Sequence, residues 1–497
     1  MKMKTCLIVF LSICTVVSTY AQKKRKKPNV IYVMTDQLRY DMLGYSGSTT
    51  AITPNLDRLA SQGLNFTNCV SGTPVCTAHR ASVITGKYAS STGVVVNELR
   101  INPNHETLPK VLMQNGYKTG FIGKWHLWAN IEGGHDGSAN NYVPPGPYRL
   151  GFDGEWKAYN FHHLNFNSEY WDAPEAKKYP TDYEPEAQFN FASDFINRHK
   201  SDKNPFALFL WIGLPHDPWR KNNVPEKYYN RFVNTQFHLP PNWRDQPDPY
   251  MDRNTDPQEW LNFWKPGLPE MMRVYYAMVN SVDELMGNLM KQLDEQGLTE
   301  NTILIFSSDH GEMFGENGRV YKMIFYESSA RIPFLIRWPG KIPAGLKSDA
   351  LINTPDFMPT ILGLTGLPVP STVEGMDVSK TCLGKASDEP EFAFLQGMGH
   401  TYQWLDGFEW RAVRDKRFTF ARYLKDGKEL LFDNKLDPQQ ITNLINDIKY
   451  TAVAKKLREK MQRKMIELND EFKPCTWYRD NWTDGNRNII ASAKGKF

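Results

Sequence analysis

The sequence predicts an α/β fold, a largely parallel sheet with helices on both faces, and three observations predict it. Four short runs are apolar without interruption, as strands buried on both faces must be. Stretches of helical periodicity lie between these runs, giving the alternation of a layered α/β domain. Each run also stops abruptly at residues that carry chemistry, as strands do at the carboxyl edge of an open sheet where ligands bind.

The runs are Val30–Met34, Thr119–Ile122, Phe206–Ile212 and Thr302–Phe306. The helical stretches are Pro54–Gln62, Thr107–Asn115 and Pro269–Gln296. The first run ends in Thr35-Asp36-Gln37 and the second in Gly123-Lys124-Trp125-His126. The third ends in Pro215-His216-Asp217-Pro218, the fourth in Ser308-Asp309-His310-Gly311-Glu312. Any one of these endings is more often an ordinary loop; four converging on one sheet edge define a candidate site. A further segment, Cys76-Thr77-Ala78-His79-Arg80, opens a helical stretch expected to reach about Tyr88. A cysteine at a helix N-terminus with an arginine one turn on sits in a positive field suited to an anion.

The composition is that of a globular protein: 497 residues, 41% hydrophobic and 23% charged, which excludes a disordered or fibrous chain. With 59 Lys+Arg against 55 Asp+Glu, there is no bulk basic character for nucleic-acid binding. Lys2 and Lys4, the apolar run Cys6–Val17 and Ser18-Thr19-Tyr20-Ala21 have the three-part layout of a secretory signal peptide cleaved after Ala21. The run is too short for a membrane span, and Ile13 disfavours lipidation of Cys14. Residues 22–27 then form an exposed basic tail, and export, most simply to a periplasm, is expected. Of the four remaining cysteines, Cys382 and Cys475 are the pair to test for a disulfide.

Cys76-Thr77-Ala78-His79-Arg80, with Thr85-Gly86-Lys87-Tyr88 behind it, resembles the signature of the formylglycine-dependent (type I) sulfatases of the alkaline phosphatase superfamily. The resemblance extends in family order through G-K-W-H at 123–126, P-H at 215–216, S-D-H-G-E at 308–312, and Lys322 ahead of Tyr326-Glu327. Arg331–Gly340 resembles the strand that follows. Leu431-Phe432-Asp433 through Asn443-Leu444 resembles the smaller C-terminal antiparallel-sheet subdomain. The resemblance therefore implies an alkaline-phosphatase-like catalytic domain over 28–370 and a C-terminal subdomain over 371–497.

It further implies that Cys76 is oxidised to formylglycine by a sulfatase-maturing enzyme and that its hydrate attacks sulfur. Asp36, Gln37, Asp309 and His310, with residue 76, resemble the metal ligand set. Its oxygen-rich character suits Ca²⁺, with Mg²⁺ or another divalent cation as the alternative. Gln37 stands where a second Asp is commoner and His310 where Asn is frequent. By the same resemblance Arg80 holds the nucleophile, Lys124 and Lys322 neutralise sulfate oxygens, and His126 assists sulfate release. His216 is the candidate general acid for the leaving alcohol, since imidazole titrates near neutrality.

Residues 125–173 and 213–265 are rich in aromatic and polar residues with weak periodicity and read as long loops. Trp219 and Arg220, with His400 and Trp404 from the loop Gln396–Trp410, are the candidate substrate contacts. The leading reading is an exported sulfatase acting on O-sulfate of a glycan. A phosphonate or phosphate monoester hydrolase of the same superfamily, and a glycan-binding protein that keeps the fold without catalysis, are the alternatives.

Overall fold

A computed structural model describes residues 27–251, 256–399, 401–485 and 487–497. The signal-peptide segment and the basic tail up to residue 26 lie outside the described residues, as does His400. The four apolar runs become β1 (Asn29–Thr35), β3 (Lys118–Lys124), β5 (Phe206–Trp211) and β6 (Thr302–Ser308). They stand side by side and parallel: β6 and β5 flank β1, and β3 pairs with β5. Four further strands complete the sheet: β2 (Leu64–Val70), β4 (Glu155–Tyr159), β7 (Phe334–Arg337) and β8 (Leu346–Asn353). The order across the sheet is β8-β2-β7-β6-β1-β5-β3-β4, with β7 alone antiparallel to its neighbours.

Successive side chains of a strand point to opposite faces, and β1 shows the consequence. Val30, Tyr32 and Met34 enter one core, and Ile31 and Val33 enter the other. The first core is roofed by helices α2 (Cys76–Thr85), α3 (Leu108–Gln114) and α6 (Phe357–Thr365). The second is roofed by α1 (Pro54–Gln62), α4 (Glu184–His199) and the 31-residue α5 (Lys265–Glu295). Continuous apolar strands are thus the mark of a sheet with no solvent face.

Two expectations need correcting. The helix opened by Cys76 ends at Thr85, because Gly86 takes a left-handed φ of 66° and donates its N–H back to Ser82. The aromatic stretch 125–173 is not all loop, since it contains β4 at the sheet edge. Trp156 and Ala158 of β4 point into the core while Glu155 and Lys157 are half-exposed, a short alternation typical of an edge strand.

The C-terminal part forms a four-stranded antiparallel sheet: β9 (Ala393–Gly397), β10 (Trp410–Arg414), β11 (Phe418–Tyr423) and β12 (Glu429–Asp433). Helices α7 (Thr451–Leu468) and α8 (Cys475–Trp482) follow. The chain end then returns to the first core, where Ile489 donates to the Arg100 carbonyl and Ala493 to that of Ser90. Cys382 is a buried free thiol, so it forms no disulfide with Cys475. Among the described residues no helix is long and apolar enough to cross a membrane.

Candidate active site

The carboxyl ends of β1, β3, β5 and β6 meet the N-terminus of α2. All ten residues of α2 are buried, so Cys76 is presented from inside the molecule rather than from its surface. Asn97 Oδ1 accepts the otherwise orphaned N–H of Thr77 at 3.0 Å and fixes this helix end. A cavity of about 290 Å³ opens above it, lined by Cys76, His126, His216 and Lys322 among others.

Two strand-end residues adopt left-handed backbone without being glycine: Gln37 with φ 68° and His126 with φ 58°. Such conformations persist only where the surroundings impose them. For Gln37 the surroundings are visible. Its N–H donates to Asp309 Oδ1 at 3.0 Å, and its carbonyl accepts from the Tyr275 hydroxyl at 2.7 Å. Its side-chain amide donates to Glu312 Oε2 at 2.5 Å, which turns Oε1 toward the pocket, where it accepts from Lys322 Nζ at 2.9 Å.

Lys124 Nζ and Arg80 Nη2 lie 2.7 and 2.9 Å from Asp36 Oδ2, and Arg80 Nη2 also reaches Asp309 Oδ2 at 3.2 Å. Burial alone would raise Asp36, but the buried Lys124 and Arg80 cations hold its carboxyl well below the usual range. Burial, reinforced by Asp36, pushes the Cys76 thiol up to about 11, so as a cysteine it stays protonated.

His310 donates from Nδ1 to the Gly311 carbonyl at 2.9 Å, which leaves Nε2 as a bare acceptor. That nitrogen is 3.7 Å from Asp36 Oδ1, 3.5 Å from Asp309 Oδ1 and 3.2 Å from Cys76 Sγ. Asp36, Cys76, Asp309 and His310 each offer a ligand atom, all within 4.8 Å of one another. Two carboxylate oxygens and an imidazole lone pair facing each other repel unless a cation lies between them. The donor set therefore fits a divalent metal ion, and the buried carboxylate–imidazole–thiol group is able to bind one.

On the opposite wall, His216 donates from Nδ1 to the Asp217 carbonyl at 2.8 Å and accepts at Nε2 from Lys322 Nζ at 2.6 Å. Burial and the Lys322 ammonium push His216 well below the imidazole range, so it rests neutral. His163 stacks on it with centroids 4.1 Å apart and planes within 7°.

The structure thus brings together Asp36, Gln37, Cys76, Arg80, Lys124, His126, His216, Asp309, His310 and Lys322. It does not bring Trp219, Arg220 or Trp404 to the cavity wall. Trp219 is buried in the second core, its indole N–H donating to the Pro215 carbonyl at 2.8 Å and its ring stacked on Tyr321. It supports the His216 loop from behind. Arg220 is exposed, and Trp404 packs half-buried on the first core. Of the residues that line the rim, Asn97, Glu98, His135, Phe161, His163 and Tyr402 carry no motif of their own, and Asp217 belongs to the Pro215–Pro218 strand ending. The signals in the sequence were the density of aromatic and polar residues in 125–173 and 213–265, which supply His135, Phe161, His163 and Asp217, and the loop Gln396–Trp410, which supplies Tyr402.

An eight-stranded mixed sheet with a buried, cation-rich pocket at its strand ends defines a hydrolase of alkaline-phosphatase-like architecture. A family model described as "Sulfatase" matches residues 28–367, and one described as "N-sulphoglucosamine sulphohydrolase, C-terminal" matches 315–467. The ulvan-active sulfatase of Formosa agariphila is 36% identical over 92% of this chain and 84% of its own length. The N-acetylglucosamine-6-O-sulfatase of Bacteroides thetaiotaomicron is 26% identical over 94% of this chain and 90% of its own. A solved Bacteroides fragilis sulfatase structure superposes with a TM-score of 0.78 at 29% identity, covering 93% of this chain and 99% of that one. The chain belongs to the sulfatase family and is a sulfuric ester hydrolase.

Proposed function

We propose that this enzyme hydrolyses O-sulfate esters on a carbohydrate, with residue 76 as the nucleophile after oxidation to formylglycine. The observation that carries the reading is the charge of the pocket. Three buried cations, Arg80, Lys124 and Lys322, converge on Cys76 against two carboxylates, Asp36 and Asp309. A site with surplus positive charge, out of water, is built for an anionic group whose charge grows in the transition state. The names of the ulvan-active and N-acetylglucosamine-6-O-sulfatase relatives support a glycan as the substrate.

A protonated thiol is a poor nucleophile. Hydrated formylglycine at residue 76 supplies the missing oxygen nucleophile. Asp36, Gln37, Asp309 and His310 would hold a divalent cation, Ca²⁺ in our reading, which supplies further positive charge when bound. The remaining work falls to side chains. Arg80 and Lys124 neutralise the reacting group and keep Asp36 ionised. His126 assists release of sulfate. As the sugar oxygen departs, the proton shared between Lys322 Nζ and His216 Nε2 moves onto it and is replaced from water, so that no resting imidazolium is needed. The net change is a sulfate ester and water giving the alcohol, sulfate and a proton. Segment 1–21 directs export to the periplasm, and a sulfatase-maturing enzyme converts Cys76.

Peptide mass across Val75–Arg80, measured on protein co-produced with a maturing enzyme, is expected to show formylglycine. Turnover of sulfated saccharides is expected to exceed that of the matching phosphate esters. Full activity with an unmodified thiol, or a preference for phosphate esters, would overturn the proposal.

A further inference from the structure

The cavity has a second electrostatic end. Facing the cationic floor around Cys76, its rim carries two carboxylates, Glu98 and Asp217, neither of which binds the reacting group in the scheme above. Glu98 is held with particular care. Its φ is 59°, a left-handed conformation that a non-glycine residue keeps only where its surroundings impose it, and the residue is only 7% exposed. The backbone beside it is pinned on both sides of the pocket: Asn97 Oδ1 accepts from Thr77 of α2, and the Asn97 N–H donates to the Thr401 carbonyl at 2.7 Å.

The Glu98 carboxylate is also oriented. Its Oε1 lies 3.0 Å from His135 Nε2, and the His135 ring stacks on Phe161 at 5.1 Å. Phe161 in turn meets His126 edge-on at 5.2 Å, so the chain of contacts ends at a residue beside the nucleophile. The hydrogen bond to Glu98 raises the His135 pKa. His135 is 44% exposed and its charge is screened by water, whereas the Glu98 side chain is 8% exposed.

A carboxylate in such a wall accepts hydrogen bonds and donates none, so it suits a hydroxyl or ammonium group and repels another anion. Resting on the glycan-sulfatase reading above, we propose that Glu98 is a specificity-determining residue. It accepts a hydrogen bond from a donor group on the leaving sugar next to the scissile sulfate, and it rejects sugars that carry a second sulfate or a carboxylate at that place. Asp217, on the same rim, reinforces the rejection.

The test uses hexose and N-acetylhexosamine monosulfates, each paired with the sugar bearing a second sulfate on the adjoining carbon. On any pair whose monosulfate is turned over, wild type is expected to favour the monosulfate more than about tenfold in kcat/KM. Glu98→Gln is expected to shrink that preference by about tenfold. Should Glu98→Gln fail to fold, wild type decides alone, because salt raised from roughly 20 mM to about 500 mM should narrow a preference set by charge repulsion. Equal turnover of both sugars by wild type, or a folded Glu98→Gln with an unchanged preference, would overturn the inference while leaving the sulfatase reading intact. Failure to hydrolyse any monosulfate would reject that reading and this inference with it.

Discussion

At the scale of single residues, the His216–Lys322 couple and Lys124 make separable contributions. His216 rests neutral with its Nε2 on the Lys322 ammonium, and in the proposed scheme this couple delivers one proton to a poor leaving group. His216→Ala is therefore expected to cost roughly 10²–10⁴-fold on a sugar sulfate and much less on an activated aryl sulfate, whose phenolate departs unaided. Lys124 is paired with Asp36 and in the proposed scheme stabilises the reacting group whichever alcohol leaves, so Lys124→Ala should cost comparable factors on both substrates. The ratio of kcat/KM between the two substrates is the readout. The metal-site residues differ in the same legible way. Asp309 accepts from the Gln37 and His310 N–H groups and from Arg80, whereas Gln37 offers one amide oxygen. Chelation should abolish most activity and Ca²⁺ restore it, and Asp309→Ala should be the more damaging substitution, by at least about tenfold over Gln37→Ala.

At the scale of elements, the end of β3 shows how a strand positions side chains at the site. Gly123 has φ 107°, and a Cβ there would lie 2.0 Å from the Trp211 carbonyl oxygen of β5. The two backbones approach this closely just before Lys124, and three residues before His126. Gly123→Ala must push β3 off β5 and move both side chains. Activity should fall by more than about 100-fold, since small displacements in a positioned site are amplified in rate. Gly116→Ala is the control: φ is 87°, but nothing lies within 4 Å of the added Cβ, so a loss of only about 1 kcal/mol in stability and little activity is expected. Thermal midpoints and kcat of the two variants, measured together, separate backbone strain from displacement of the site.

At the scale of the whole molecule, the C-terminal part is tied to the first by buried polar groups as well as apolar ones. Arg414 of β10 pairs with Glu327 at 2.5 Å, and Gln396 of β9 donates from its side chain to Ser90 Oγ at 2.9 Å and from its backbone to the Gly72 carbonyl at 2.8 Å, while Phe497 packs edge-on against His105 at 4.5 Å. Burial, aided by Lys87, lowers the His105 pKa from 6.5 to about 4. His105 is thus neutral in the fold and takes up a proton on unfolding below pH 6.5. Its contribution is complete above that pH and is lost as the pH falls toward 4. At pH 5 the loss is on the order of 2 kcal/mol. The thermal midpoint should drop between pH 7 and pH 5, and the drop should be smaller in His105→Gln.

The sequence by itself determined the sheet and the chemistry at its edge. A strand buried on both faces must be apolar throughout, and polar residues resume only where it leaves the core, so β1, β3, β5 and β6 and their terminal residues were readable from composition along the chain. The motif around Cys76 was readable for a similar reason, because helix start, cysteine and arginine lie within five residues. What only the tertiary structure decided depends on contacts between distant segments. Glu312 turns the Gln37 amide from 275 residues away, and His163 stacks on His216 across a loop. Trp219, an aromatic in a pocket-forming loop, faces the core rather than the cavity because the space behind Pro215 is filled by its ring. Glu98 reaches the rim with a left-handed backbone that no glycine announces, and it meets His135, 37 positions on in the chain, only in the fold. Periodicity records how much of a segment is buried, and short motifs record what is adjacent in sequence. Neither records which side chain a folded neighbour will meet, and that is where the walls of this site are made.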